Sequence, residues 1–205
     1  MNLQPLFETQ RELDAKILLK KGLSGQDLLD KKILALQVEL GELANEWRGF
    51  KFWSENQEPN TLEIIECQFC DEGSIHNGKI ETETCIECGG EFIIERKNPL
   101  LEEYVDCLHF ILSIGDDLGI TYELVDIRDY TEYTTTFVFS GLFFQISNLE
   151  EDLYNHREYK LESDYGMIFQ VFLALGKKLG FTWEQIEESY FAKNKINHER
   201  QANGY

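Results

Sequence analysis

Apolar residues recur every three or four positions along most of this chain, and this spacing favours a helical fold. The pattern is strongest over residues 26–47, where the repeat follows the 3.6-residue turn of an α-helix. Only three prolines occur in 205 residues, so few positions would break a long helix. The same spacing predicts further helices over residues 3–20, 100–118, 165–179 and 183–201.

Residues 130–153 are harder to assign than the rest of the chain. Thr134, Thr135 and Thr136 are β-branched and favour a strand. The apolar pattern continues beyond them for longer than one strand, so we predict a helix there. The fold class is therefore all-α, a bundle of five or six helices. We expect a helical domain formed by residues 1–60 and 98–205, interrupted by an inserted module at 61–97.

The inserted module carries four of the five cysteines in two closely spaced pairs. Cys67 and Cys70 form the first pair, Cys85 and Cys88 form the second, and fourteen residues separate the pairs. Two Cys-x2-Cys pairs at this distance are typical of a zinc ribbon, in which four thiolates surround one Zn²⁺ ion. A disulfide pair and an iron–sulfur site are the alternatives. We predict a structural zinc ion in a reducing, cytoplasmic compartment.

The charge balance argues against several classes of partner. Lysine and arginine number 19 against 38 acidic residues, which gives a net charge of −19. A protein that binds the phosphate backbone of nucleic acid needs a basic face, so no nucleic-acid partner is expected. No apolar run reaches the length of a membrane span, and no signal peptide is visible at the start of the sequence, so no membrane partner is expected either.

Five acidic residues stand at helical spacing in two of the predicted helices. Glu39, Glu42 and Glu46 lie three and four residues apart in the first of them, and Glu103 and Asp106 repeat the spacing in the second. If the two helices pack antiparallel, four of these carboxylates meet beside the core. Magnesium prefers such oxygen ligands, and cations would relieve the repulsion between the like charges. A solvated acidic face is the alternative in so acidic a chain.

The last predicted helix carries a polar motif. Lys193, Asn197, Arg200 and Gln201 share one face through spacings of three and four. Arginine donates two parallel hydrogen bonds to phosphate, and asparagine both donates and accepts, as the edge of a pyrimidine requires. A frayed polar C-terminus is the alternative.

Taken together, these motifs resemble those of a known family, the all-α dimeric dUTPases of the MazG-like nucleotide pyrophosphohydrolase superfamily. The resemblance covers residues 1–56 and 98–205. Its motifs are Glu39-Leu-Gly-Glu42-Leu-Ala-Asn-Glu46-Trp-Arg, Phe50-Lys-Phe-Trp53, Glu103-Tyr-Val-Asp106 and Lys193-x3-Asn197-x2-Arg200-Gln201-x2-Gly204-Tyr205.

The resemblance implies a Mg²⁺-dependent dUTP diphosphatase that converts dUTP, and also dUDP, to dUMP, with release of pyrophosphate from dUTP. One carboxylate, Glu46 or Glu39, would orient the attacking water. Asp14 stands where the family often has an amide, and no role is assigned to it. The remaining implied roles are Mg²⁺ binding by Glu39, Glu42, Glu103 and Asp106, nucleotide contacts by Gln10, Asn197 and the region from Lys51 to Trp53, and phosphate contacts by Lys193 and Arg200.

The resemblance also implies a homodimer, for which the apolar segment 137–144 offers a surface unless it belongs to the core. Two other functions stay open at this point. One is a related pyrophosphohydrolase acting on another nucleotide such as dCTP, because one sequence does not fix the orientation of the amides that read the base. The other is a non-enzymatic binding module built on the zinc ribbon.

Overall fold

The computed structural model describes residues 1–67, 74–76, 82–84, 87–88, 91, 93–120 and 129–203. This part of the chain contains six α-helices and two short antiparallel strand pairs, which confirms the predicted helical bundle. The helices are α1 (Gln4–Lys21), α2 (Leu29–Trp47), α3 (Pro99–Asp117), α4 (Thr135–Tyr154), α5 (Glu158–Lys178) and α6 (Trp183–Ala202).

Local sequence signals set several of the helix ends. Gly22, at φ 67°, stops α1 in the left-handed region that glycine adopts without strain. The Asn98 side chain accepts a hydrogen bond from the Leu101 N–H at 3.1 Å and so caps α3. Thr134 caps α4 in the same way, which explains why residues with strand propensity stand at the start of a helix. Thr182 and the residue three positions into α6 form a reciprocal capping box.

The predicted start of α5 at residue 165 was wrong, because the helix begins at Glu158. Residues 158–164 are mostly polar, so they show no apolar period. Leu161 nevertheless packs against the core. Lys160 binds Asp152, which is nearly fully buried on α4, at 3.2 Å. The first turns of α5 are therefore held by one apolar contact and by ion pairing, neither of which a periodicity argument detects.

Helices α2 and α3 pack antiparallel, which is the condition under which their acidic residues can meet. Lys32 near the start of α2 binds Asp117 at the end of α3 at 2.6 Å, and Glu39 further along α2 approaches Asp106. Leu36 and Leu40 lie on the buried stripe of α2 between these positions. Glu39, which lies beside that stripe, therefore faces α3 rather than bulk water.

Two buried tyrosines attach α5 to the other face of α3. The Tyr104 hydroxyl donates to the carbonyl oxygen of Phe172 at 3.1 Å, and the two rings stack at 4.2 Å. Tyr165 donates to the carbonyl oxygen of Ile111 at 3.0 Å. A Cβ at Gly176 would clash with the Tyr104 hydroxyl, so this close approach requires glycine. The helix that carries Asp106 is thereby held firmly in the centre of the bundle.

The predicted inserted module contains the strands. β1 (Glu63–Glu66) pairs with β4 (Ile93–Lys97), and β2 (Ser74–His76) pairs with β3 (Thr82–Thr84), both antiparallel. Cys67 directly follows β1 and is buried, and Cys88 is half-buried. Cys70 and Cys85 lie outside the described residues, so the four-cysteine zinc site stays a prediction.

Candidate active site

Three carboxylates from α2 and α3 come together at the side of the core. Glu39, Glu103 and Asp106 each offer an oxygen, and these oxygens lie within 4.8 Å of one another. All three side chains are half-buried. Four residues were predicted to meet here, and three of them do. The cluster exists because Glu103 and Asp106 stand one turn apart on α3, opposite a single glutamate of the antiparallel helix.

The electrostatics of this carboxylate cluster are unfavourable without a cation. Partial burial and then the charge of Asp106 raise the pKa of Glu39 and that of Glu103 from 4.5 to about 7. Oε2 of Glu103 is also buried without a hydrogen-bond partner. Oxygens in this state suit a hard divalent cation such as Mg²⁺, which favours carboxylate ligands and would satisfy the unpartnered atom.

Helix α6 brings one positive charge to the cluster. Nζ of Lys193 donates to Oδ2 of Asp106 at 2.6 Å, and both side chains are largely buried. This charge opposes the rise in pKa of Glu39 and of Glu103. One ammonium does not balance three carboxylates, so the cluster keeps room for added positive charge.

A cleft of about 380 Å³ opens beside the carboxylate cluster. Glu39 and Asp106 line it, together with the polar face of α6, whose four predicted residues therefore do share one surface. Its other walls are largely apolar. In full, its lining is Gln10, Leu13, Asp14, Ile17, Leu18, Leu23, Leu28, Lys32, Glu39, Asp106, His109, Phe110, Ser113, Lys193, Asn197, Arg200 and Gln201.

Two further acidic residues predicted for the site, Glu42 and Glu46, are not among the carboxylates that meet. Glu42 is exposed, yet its charge contributes to the raised pKa of Glu39 and of Glu103, which places it near the cluster. Glu46 accepts a hydrogen bond from Nδ2 of Asn60 at 2.7 Å. Its side chain thus holds the segment after α2 in place.

Lys51 and Trp53, predicted to contact the nucleotide, do not line the cleft. They stand in the turn that follows α2, where Nζ of Lys51 donates to the carbonyl oxygen of Asn45 at 3.2 Å. Trp53 is 66% exposed and packs edge-on against Phe50 at 5.7 Å. In this arrangement Trp53 is exposed and Lys51 is half-buried, bound to the backbone of α2.

The structure adds a buried polar network that the sequence analysis missed. Gln10 binds His109, Tyr190 and Asp14, and Ser113 donates to Asp14. His109 and Ser113 stand three and seven residues after Asp106, on the face that carries the carboxylates. Helical spacing from Asp106 was therefore a usable signal for both.

Burial shifts the titration of this network. It lowers the pKa of His109 to about 3, with the charge of Lys193 acting in the same direction, so the ring is neutral near pH 7. Burial raises the pKa of Asp14, and the hydrogen bond from Ser113 and the charge of Lys32 oppose that rise.

Comparison with known proteins adds a family to this geometry. The model of a family described as dUTPase matches residues 2–73 and 94–205. No curated protein matches the chain. Among the described residues, no helix combines the length and the apolar composition needed to cross a membrane. Because the match covers most of the chain, including both helices that carry the carboxylate cluster, the protein belongs to the dUTPase family, and it is a pyrophosphohydrolase that acts on dUTP.

Proposed function

We propose that the protein hydrolyses dUTP to dUMP and pyrophosphate with Mg²⁺ held by Glu39, Glu103 and Asp106. One observation carries this proposal: three carboxylates crowd together beside a substrate-sized cleft that two of them line, and Oε2 of Glu103 is buried without a partner. Glu42 would add negative charge at the margin and become a further ligand if it turns inward. Bound Mg²⁺ supplies a more acidic water and neutralises the charge of the pyrophosphate leaving group.

Residues that line the cleft would orient the attacking water and bind the phosphates. Glu39 lines the cleft, whereas Glu46 is bound to Asn60, so Glu39 is the better candidate to orient the attacking water. Lys193 and Arg200 extend from α6 and would contact the phosphates. In phosphoryl transfer the protein acts mainly by positioning the reactants and by stabilising charge, and these side chains can do both.

The nucleoside would occupy the apolar part of the cleft. Asn197 and Gln10 line the cleft and would offer amides to a base. The same groups would serve dUDP, because its α–β linkage is the one that the phosphate and metal groups flank. Lys51 and Trp53 would reach a nucleotide only if the turn after α2 moves towards the cleft.

Product analysis against the deoxynucleoside triphosphates tests this assignment. With Mg²⁺ we expect dUMP and pyrophosphate from dUTP, dUMP from dUDP, and loss of both reactions in EDTA. Preferential hydrolysis of dCTP would instead favour the related pyrophosphohydrolase. Activity that persists after complete chelation would show that the carboxylates do not act through a metal ion.

We also propose that residues 61–97 form an inserted zinc module held by Cys67, Cys70, Cys85 and Cys88. Support comes from the β1–β4 pairing that closes its base and from the family match, which leaves out residues 74–93. Four thiolates suit a reducing cytoplasm. Metal analysis should find about one zinc per chain, reduced in Cys88→Ser but not in the separate cysteine variant Cys107→Ser.

A homodimer is the assembly that we propose. In the segment 137–144, Val138 and Leu142 are buried in the core, whereas Phe137 and Phe144 are 56% and 61% exposed. The segment therefore serves the core and still presents aromatic surface to a second copy. Light scattering of the purified protein should give twice the mass of the chain, and a monomer at working concentration would exclude this assembly.

A further inference from the structure

Asn60 connects the two helices that carry the carboxylate cluster. Its backbone N–H donates to the carbonyl oxygen of Glu46 at 2.9 Å, and its Nδ2 donates to Oε2 of the same residue at 2.7 Å. Its own carbonyl oxygen accepts from the N–H of Leu100 at 3.1 Å. Glu46 stands in the last turn of α2 and Leu100 in the first turn of α3, so we call these three hydrogen bonds the helix tie.

The stem of the inserted module fixes the backbone of Asn60. Glu63 pairs with Lys97 at the end of the β1–β4 ladder that lies nearest the helices. Three residues further along each side, Asn60 faces Leu100 in the same antiparallel register. The N–H of Leu100 is also one of the amides that the start of a helix leaves unpaired. The side chain of Asn60 therefore extends from a held position, although the residue is exposed.

The helix tie lies about one turn from residues that would bind Mg²⁺. On α3, Glu103 is three residues after Leu100, or about 4.5 Å along the helix axis. On α2, Glu42 is four residues before Glu46, or about 6 Å. A helix is stiff over one turn, so a change in spacing at the tie also changes the spacing of the carboxylates.

The carboxylate cluster needs such support. Glu39 on α2 repels Glu103 and Asp106 on α3, because all three place like charges across the contact between the helices. Lys32 binds Asp117 at 2.6 Å and holds the opposite end of the same helix pair. The helix tie and this ion pair thus lie on either side of the repelling groups and oppose their separation.

We propose that Glu46 and Asn60 are positioning residues that hold α2 and α3 at the spacing required for Mg²⁺ binding, an inference that rests on the proposed function. Glu46 acts as a hydrogen-bond acceptor. It does not ligate the metal ion, and it does not orient the attacking water. A glutamine offers the same acceptor oxygen without the charge. Position 46 therefore requires an acceptor rather than a carboxylate, whereas a metal ligand in the cluster requires the carboxylate.

Two substitutions of Glu46 separate the acceptor from the charge. Glu46→Gln keeps an acceptor for Nδ2 of Asn60, so kcat and the Mg²⁺ concentration for half-maximal activity should stay within about twofold of wild type. Glu46→Ala removes the acceptor, and this Mg²⁺ concentration should rise about fivefold or more, with a smaller change in kcat. Equal loss of activity in both variants would show that Glu46 acts through its charge, and the inference would be wrong.

Exchanging the two polar groups is the sharper test. Asn60→Asp places a carboxylate against Glu46, so the half-maximal Mg²⁺ concentration should rise at least as much as in Glu46→Ala. In the double variant Glu46→Gln/Asn60→Asp, the amide at position 46 can donate to the carboxylate at position 60. The Mg²⁺ requirement should then return to within about twofold of wild type. Gln57→Glu is the control, because it adds the same charge to the same exposed segment and should have little effect.

Binding of Mg²⁺ alone tests the inference without catalysis. Thermal melting of the full chain, with and without Mg²⁺, should show a smaller Mg²⁺ stabilisation in Glu46→Ala and in Asn60→Asp than in wild type. The double variant should regain it. A contact that serves only the fold would lower the melting temperature of the single variants but leave the Mg²⁺ stabilisation unchanged, and that result would overturn the inference.

The outcomes separate this inference from the function on which it rests. If wild type hydrolyses dUTP with Mg²⁺ but the double variant is not rescued, the inference is wrong and the dUTPase assignment stands. If wild type hydrolyses neither dUTP nor dUDP with Mg²⁺, the proposed function is wrong. Wild-type protein that Mg²⁺ does not stabilise would overturn both the metal site and the inference.

Discussion

The two ends of the cleft differ in how far their buried polar groups have hydrogen-bond partners within the protein. At the carboxylate cluster, like charges meet, and Oε2 of Glu103 has no partner. At the other end, the Gln10 amide is held by partners on three different residues, and Asp14 is held in turn by Ser113. The first end is incomplete in the protein alone, whereas the second is almost complete.

This difference indicates which property each end controls. A cluster that raises the pKa of its own carboxylates gains from a cation and from the charge that a reaction develops. A network whose hydrogen bonds are nearly all made gains little from new charge, but it holds a few groups in a fixed direction. We therefore expect the carboxylate end to govern rate and metal dependence, and the network end to govern selectivity and fold stability.

Neutralising one carboxylate should have the largest effect. Glu103→Gln keeps the size of the side chain but removes a ligand charge, and we expect kcat to fall roughly 10²- to 10³-fold. Without metal, the variant should melt at a higher temperature than wild type, because a buried, repelled charge is gone. Steady-state kinetics and thermal melting check the two effects.

Glu102→Gln is the control for that prediction. Glu102 is the neighbouring residue on α3, and it is not part of the group whose oxygens meet. It should leave both kcat and the melting temperature close to wild type. If the two variants lose activity equally, general charge on α3 matters rather than the cluster.

The pH dependence of stability should come next. The folded-state pKa of Glu39 and of Glu103 is about 7, against an ordinary value of 4.5. Between these two values the folded protein binds more protons than the unfolded chain, so this contribution to stability is present at low pH and is lost as the pH rises through about 7. Mg²⁺ should counteract the loss, because it binds the ionised form.

Melting curves at about pH 5.5 and pH 8, with and without Mg²⁺, measure this linkage. The stabilisation by Mg²⁺ should be larger at the higher pH. In Glu103→Gln both the pH effect and the Mg²⁺ effect should shrink. An equal Mg²⁺ stabilisation at both pH values would mean that the ion binds groups other than these carboxylates.

Glu42→Gln should have an intermediate effect, which would define the edge of the cluster. Its charge acts on Glu39 and Glu103, but its oxygens are not among those that meet. We expect kcat/KM to fall about tenfold, clearly less than in Glu103→Gln. A loss as large as that of Glu103→Gln would show that Glu42 turns inward and ligates the metal ion directly.

The contrast between the two ends also explains how far sequence reasoning reached. The carboxylates could be identified from the sequence because Glu-x2-Glu and Glu-x2-Asp stand beside the apolar stripes of two helices. Antiparallel packing of α2 on α3 then brings three of these carboxylates together. The helices themselves could also be predicted from the sequence, because their apolar residues recur at helical spacing. The polar start of α5 carries no such period, and its position was missed.

The network end could not be predicted in the same way. Gln10 and His109 meet across 99 positions of sequence, and Tyr190 joins them from α6. Each of these residues alone is ordinary on an amphipathic helix, and only the packing of α1 against α3 and α6 gives them partners. The spacing of Glu46 fits the cluster, and only the fold shows that its side chain binds Asn60.

Removing one partner from the network end should have the smallest effect, and it should be confined to stability. The Tyr190 hydroxyl is buried within 3.1 Å of the carbonyl oxygen of Leu6 and 3.0 Å of Oε1 of Gln10. Tyr190→Phe leaves these acceptors with one donor fewer, at a cost of about 1–2 kcal/mol in the free energy of unfolding.

His109 and Asp14 still hold the amide of Gln10, so the dUTP preference should persist. The Mg²⁺ stabilisation should be unchanged, because this hydroxyl contacts Leu6 and Gln10 rather than the carboxylates proposed to bind the ion. Denaturant unfolding measures the loss, with Tyr159→Phe as the control because Tyr159 is 82% exposed. If Tyr190→Phe changes the stabilisation by Mg²⁺, the two ends of the cleft are coupled. The assignment of metal dependence to one end and of selectivity and stability to the other would then be wrong.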